Sequence, residues 1–309
     1  MHVASVIGIA AVLLRYDNIR KELRGSDRIK GQWGGAIPDR RGNMVSIRFH
    51  LFPQGKRRAL TASYDDGTVH DRRLVEIFNR HGVRGTFHLN SGMLDRSGWI
   101  RSSEVASLYG NHEVAVHTVH HYHLERIPPD IAATEILDDR RALETLVGYP
   151  VRGMSFPFGT FRDDLVRLLP SLGIEYARTV RETRLLEVPA DVHVWDPTCH
   201  HNHDLLALGE RFLKEESTEQ VLMVVWGHSS DFDRDDNWNL MEDFCRLAGG
   251  KDDTWYATAG EIADYIVATR RLRFSVARDR VYNPSSLPVW LEVDSRPVMI
   301  APGTTLQVR

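Results

Sequence analysis

The chain has 309 residues, a formal net charge of -3 and only two cysteines, Cys199 and Cys245. That length supports one large domain or two modest ones with a sizeable core, and the near-neutral balance gives no ground for a nucleic-acid or anionic-membrane partner. Two cysteines cannot build a disulfide framework, whereas fifteen histidines are present, bunched at His117, His120, His121 and His123 and again at His200, His201 and His203.

Taken in order, residues 3–14 are apolar and long enough for a signal-peptide core. No basic residue precedes them, however, and Leu14-Arg15-Tyr16-Asp17 is a poor small-residue cleavage site. A cytoplasmic location is therefore expected, with secretion through residues 3–14 as the alternative. No stretch approaches the roughly 20 apolar residues of a membrane span. Residues 15–43 are basic and lack periodicity, so residues 1–43 read as an N-terminal tail. Met44 then opens a β-like run over 45–52. One expectation is that translation starts at Met44, which an intact mass of the native gene product would check.

From Ala59 short apolar strands alternate with longer amphipathic segments. Residues 59–64 read as a strand, and Leu74, Ile77 and Phe78 recur at helical spacing before His81-Gly82. Strands are predicted over 85–90, 114–117, 153–158, 176–180, 192–195, 221–226 and 254–257. Helices are predicted over 102–109, from Pro128-Pro129 to Gly148, and over 163–172, 204–214, 238–247 and 260–270. Seven or eight such β-then-α units argue for a parallel α/β barrel over 44–272 rather than an open sheet. The alternating, proline-punctuated pattern of residues 273–309 predicts a small C-terminal β appendix.

In such barrels the working groups sit where strands end. Those ends carry Asp65-Asp66-Gly67, His117, Phe156-Pro157-Phe158-Gly159, Trp195-Asp196 and Gly227-His228. Successive side chains of a strand point to opposite faces, so Asp65 and Asp66 can share a site only if the strand stops at Tyr64 and Gly67 supplies a turn. Adjacent carboxylates raise each other's pKa unless a cation lies between them, which suggests one metal-bound and one left to move a proton; a solvated Asp-Asp-Gly turn is the plainer alternative. His117 and His121 face the same way if the strand passes into a helical turn. With Asp66 they then offer one carboxylate and two imidazoles, and zinc in such a site lowers the pKa of its bound water toward about 7. The plainer alternative is a satisfied barrel histidine with its neighbours on the surface.

Tyr64-Asp65-Asp66-Gly67, followed by His117-Thr118-x-x-His121 and Phe156-Pro157-Phe158-Gly159, resembles the polysaccharide deacetylases with the NodB homology domain. The resemblance runs from about Arg58 to Arg270 and implies a distorted barrel of about seven βα units. It implies Asp65 as the general base and Asp66, His117 and His121 as ligands of one divalent metal, usually zinc, with Co2+, Ni2+ or Fe2+ as alternatives. It further implies His228 as the general acid, with Asp231 and Asp233 near it, and the backbone N–H of Phe158 as an oxyanion donor. Asp191-x-x-x-Trp195 fits the spacing of the family's acid-orienting aspartate, a role Asp196 could also take. Trp195 and Trp226 can be core packing or a substrate wall.

Two departures stand out. The family's arginine two residues before the third-motif proline is replaced by Ser155, so either Arg152 reaches back to steady Asp65 or the base is held differently. The run Cys199-His200-His201-Asn202-His203 lies outside the family motifs; it could line the cleft, form a second metal site or be a polar loop. The reaction implied is hydrolysis of the acetamide of an N-acetylated sugar, oligosaccharide or polysaccharide. Alternatives on the same barrel are hydrolysis of another C–N bond, in a cyclic ureide or formamide, and a carbohydrate-binding relative without catalysis.

Overall fold

The computed structural model describes residues 36–38 and 44–308, so residues 3–14 and most of the predicted tail lie outside the described residues. The strands are β1 (Ala36–Pro38), β2 (Met44–Arg48), β3 (Arg58–Asp66), β4 (Gly85–Leu89), β5 (Glu113–Val116), β6 (Gly153–Ser155), β7 (Tyr176–Arg178), β8 (Cys199–His200), β9 (Val221–His228) and β10 (Thr254–Tyr256). Five more follow: β11 (Arg273–Phe274), β12 (Arg280–Tyr282), β13 (Val289–Val293), β14 (Arg296–Ile300) and β15 (Thr305–Gln307). The helices are α1 (Asp71–His81), α2 (Val105–Leu108), α3 (Pro129–Val147), α4 (Asp163–Leu168), α5 (Leu205–Lys214), α6 (Ser229–Arg234), α7 (Trp238–Ala248) and α8 (Ala259–Arg270).

The central sheet runs β7-β6-β5-β4-β3-β9-β8, with β10 also on β3, and every pairing in it is parallel. It curls into the barrel expected from the βα repeats. The chain between β7 and β8 spans both edges. The Trp195 backbone N–H donates to Ala177 O, its carbonyl accepts from Thr179 N–H, and Thr198 N–H donates to Val224 O. The stretch predicted as a strand over 192–195 thus contributes one bridge, Arg178 with Trp195, and closes the ring loosely there.

Period-two alternation decides which side chains enter the barrel. On β3, Leu60, Ala62 and Tyr64 join the outer core with Leu74, Ile77 and Phe78 of α1. Thr61, Ser63 and Asp65 share the opposite face and are all buried. On β9, Val221, Met223 and Val225 serve the outer core, whereas Leu222 and Val224 pack with Phe52, Trp195 and Val289. β3 is buried on both faces, yet its inner face carries the polar Thr61, Ser63 and Asp65 while its outer face is apolar from Leu60 to Tyr64.

The β appendix draws on both ends of the described chain. One sheet has the order β1-β2-β13-β14, all antiparallel, and a second has β11-β12-β15. Met44–Arg48 therefore lies with the C-terminal strands rather than in the barrel to which its sequence pattern assigned it. Glu292 pairs with Arg48 at 3.4 Å and lies 3.6 Å from His50 Nε2, whose pKa burial lowers. Among the described residues no helix is long and apolar enough to cross a membrane.

Candidate active site

β3 does not stop at Tyr64, as the two-carboxylate argument required, but continues through Asp66. The conflict between alternation and convergence is resolved by backbone geometry: Asp66 takes φ +81° and Gly67 φ +76°, in the left-handed region. Asp65 stays on the barrel-interior face and is 2% exposed, while the turn swings Asp66 back toward the same opening. A Cβ on Gly67 would stand 2.8 Å from the Leu89 side chain, so glycine is needed there for space as well as for φ.

His117 and His121 also converge by a route other than the expected helical turn. β5 ends at Val116, and residues 117–121 form a loop in which Thr118 (φ +69°) and His121 (φ +57°) are left-handed. Thr118 Oγ1 accepts the His121 N–H at 3.1 Å. Helix α3 holds this loop from outside through two acids four residues apart on its buried face. Asp139 accepts the His117 N–H at 3.0 Å and the Ser91 N–H at 2.7 Å. Glu135 accepts the His120 N–H at 2.9 Å and pairs with His120 Nδ1 at 2.7 Å, so His120 turns away from the centre. Burial pushes the Asp139 carboxyl up to about 7 against these hydrogen bonds. His123 stacks on the exposed Phe158 ring at 3.7 Å, and His121 meets that ring edge-on at 4.5 Å.

The result is one tight donor set. Asp66 Oδ1 lies 3.6 Å from His117 Nε2 and 3.7 Å from His121 Nε2. Two donors on one zinc ion, each about 2.0–2.2 Å from it, stand at most about 4.4 Å apart, so these positions fit a single ion. The tautomer fits as well. Ser155 Oγ donates to Asp65 Oδ1 at 2.9 Å and has no second proton to give. Its contact of 2.7 Å with His117 Nδ1, like that of Ser155 O at 3.0 Å, must then be donated by the imidazole. The Nε2 lone pair of His117 is left facing Asp66.

Asp65 is held by an arginine that the sequence reading did not find. Arg178, at the end of β7 and 2% exposed, sends Nη2 to both Asp65 oxygens and Nε to Ser63 Oγ at 2.8 Å. Burial alone would raise the Asp65 pKa; the opposing charge of the Arg178 guanidinium outweighs it and holds the carboxyl well below the usual carboxylate range. His88 Nε2 meets Ser63 Oγ at 2.9 Å, and burial pushes its pKa down to about 3, so it stays neutral. Arg152 is a correction: three residues before Ser155 and outside the barrel, it pairs with Asp264 at 2.9 and 3.0 Å and with Glu175. Read from sequence, Arg178 had one signal, a lone arginine closing an apolar strand where charge should be costly.

His228 closes β9 beside Asp65, the two being register partners on adjacent parallel strands. The short helix α6 begins immediately after it and carries Asp231, whose Oδ2 lies 3.3 Å from His228 Nδ1. Burial works to lower the His228 pKa, but the Asp231 hydrogen bond and the charges of Asp65 and Asp66 outweigh it and raise the imidazole to about 9. Asp191 does not take the orienting role: its carboxylate accepts the His193 N–H at 2.9 Å on the surface. Asp196 pairs with Thr179 and Arg181 instead. Trp195 is 2% exposed and packs on Tyr176 in the core. Trp226 lies over the Arg178 guanidinium at 4.8 Å and edges His200 at 4.9 Å, roofing the base's partner. Phe158 has φ +59° in the turn Pro157–Gly159 and stands at the rim. Cys199 is buried with its thiol pushed up to about 12, so it is no nucleophile.

Fold and site together define a βα barrel with a carboxylate–imidazole centre at its strand ends. The model of the polysaccharide deacetylase family matches residues 53–177, the segment that holds Asp65, Asp66, His117, His121 and Phe158. No curated protein matches the chain. A putative polysaccharide deacetylase from Mycobacterium smegmatis shares the fold at 16% identity and a TM-score of 0.51, over 71% of this chain and 93% of that one. A Streptococcus pyogenes deacetylase solved with acetate aligns at 17% identity and a TM-score of 0.40, over 43% of this chain and 61% of its own length. A family 4 carbohydrate esterase pseudoenzyme from Bacillus anthracis aligns at 16% identity and a TM-score of 0.43, over 69% of this chain and 66% of that one.

Proposed function

We propose that the protein is a metal-dependent deacetylase that hydrolyses the acetamide of an N-acetylated sugar, oligosaccharide or polysaccharide. The observation that carries this reading is the convergence of Asp66, His117 and His121 beside a buried, ionised Asp65. Asp66, His117 and His121 would hold one divalent ion, most simply zinc, which would activate water and polarise the acetamide carbonyl. Asp65, ionised and aimed by Arg178 and Ser155, takes the proton released as water adds to the carbonyl. In this reading the Phe158 N–H donates to the developing oxyanion. His228, on the neighbouring strand, gives its proton to the departing amine, so acetate and a free amino group leave together. The presence of both a base and an acid candidate favours this over a catalytically silent carbohydrate-binding relative.

Asp65→Asn should lower acetate release by about 10²- to 10⁴-fold while metal content persists, and His117→Ala should lower both. Acetate release from a panel of N-acetylated sugars, compared with ammonia or formate release from cyclic ureides and formamides, chooses between the amide classes. Full activity in the Asp65→Asn protein would refute the assignment.

A further inference from the structure

The histidine run of β8 and the loop after it is not used by the chemistry above, yet it converges on the carboxylate that orients His228. Asp231 Oδ2 lies 3.3 Å from His200 Nε2, 3.3 Å from His228 Nδ1 and 3.9 Å from His201 Nε2. The donor atoms of His200, His228 and Asp231 all lie within 4.8 Å of one another. The separations from Asp231 fall inside the roughly 4.4 Å that two donors of one zinc ion can span.

His201 supplies an independent sign. It is wholly buried, stacked between Tyr64 and Phe232, with Nδ1 at 3.3 Å from Tyr64 Oη. Its Nε2, on the side of Asp231, has no hydrogen-bond partner. A buried ring nitrogen left unpaired costs free energy unless something else occupies its direction. The backbone is cut to admit these rings: a Cβ on Gly227 would stand 2.1 Å from His201 Nδ1 and 3.1 Å from His200 Nε2. His200, His228 and Asp231 face a cavity of about 430 Å³, where Arg234 pairs with the other Asp231 oxygen at 2.7 Å and leaves Oδ2 to the imidazoles.

We propose that His200, His228 and Asp231 form a second divalent-metal site, with the unpartnered Nε2 of His201 behind it, whose occupation switches off the proton delivery of His228. Imidazoles with one carboxylate are the donor set of zinc and its transition-metal neighbours rather than of calcium or magnesium. The ion takes the lone pairs of His228 Nδ1 and His200 Nε2: the proton that His228 Nδ1 shared with Asp231 leaves to water, and the proton on His200 Nε2 moves to Nδ1, which gives up its 3.2 Å contact with the Asn202 N–H. The His228 ring is then neutral apart from its metal bond and is a poor acid for the departing amine. The inhibitory half rests on the deacetylase reading; the binding half does not.

The test is a metal count on protein stripped with chelator, reloaded with zinc chloride and passed through a desalting column. Two ions per chain are expected in the unmodified protein, one in Asp66→Ala, one in His200→Ala and none in the double variant. One ion per unmodified chain and none in Asp66→Ala overturns the second site, without reliance on whether His200→Ala folds. Acetate release should rise with the first equivalent of zinc and fall at least tenfold with the second, and His200→Ala should keep its activity in excess zinc. Undiminished activity with two ions bound overturns the switch. Two ions bound with no acetamide hydrolysed at any zinc level would instead sink the deacetylase reading and leave the site standing.

Discussion

The two histidine clusters at the strand ends have similar donors but differ in how the protein holds them. Around Asp66, His117 and His121 each support is committed: Asp139 and Glu135 pin the loop, and Ser155 fixes the tautomer of His117. Around Asp231 one carboxylate oxygen is shared among three imidazoles, and one ring nitrogen is left without a partner. Preorganised ligands suit a resident ion, whereas a shared acceptor suits a site where a proton and a metal exchange. The difference lies in the elements behind each cluster, a nineteen-residue helix in one case and a six-residue helix in the other.

The largest effect should come from breaking the anchor between the clusters. Arg178→Met leaves Asp65 buried and unpaired, and an uncompensated buried charge costs on the order of 3–5 kcal/mol. The sign follows from the two folded states. The parent, with Asp65 held well below the unfolded value near 4, keeps this stability down to that value. In the variant, burial without the arginine raises the carboxyl, which protonates and sheds its penalty as pH falls from 7 to 4, so the variant should lose most at neutral pH. Urea titrations at pH 7 and pH 4 would show the gap between variant and parent narrowing in acid; an unchanged midpoint at pH 7 would count against the pairing.

Next in size is the support of the first cluster. Asp139→Asn should weaken zinc binding by about 10- to 100-fold, read by chelator competition, while the folded spectrum is kept. On the other side, Asp231→Asn removes the strongest partner that raises His228. A general acid must be protonated, so activity is present below its pKa and lost above it. The alkaline limb of kcat/KM, set by an imidazole near 9, should therefore move to lower pH in the variant. A limb that stays in place would assign the acid to another group. The smallest effect is expected at Arg152, whose partly exposed pairs with Asp264 and Glu175 lie outside the site. Arg152→Ala should cost under about 1 kcal/mol of stability and leave turnover unchanged. A large drop in turnover would restore Arg152 as a support of the base.

Asp65, Asp66, His117, His121 and His228 were legible because each ends or follows a predicted strand, and strand ends meet at one rim of a parallel barrel. Their backbone routes were not legible. Asp and His adopt positive φ more readily than most residues, but that tolerance does not say which Asp or His will use it, and at the β-branched Thr118 it runs against local preference. Arg152 was the natural choice along the chain because it is near Ser155 in sequence. Parallel pairing instead places Ser155 opposite Arg178, a contact between residues 23 positions apart.

The sequence alone determined the period of the strands and helices, the parallel barrel they require, and the order in which carboxylates and imidazoles reach its rim. Those follow from local spacing, which the chain carries wherever it folds. Tertiary structure decided which arginine holds Asp65, that Asp231 rather than Asp191 orients His228, and that Met44–Arg48 pairs with β13. It also gathered His200 and His201 around Asp231. Each of these depends on which strands become neighbours, and that register is set by burial of the whole sheet rather than by any short stretch of it.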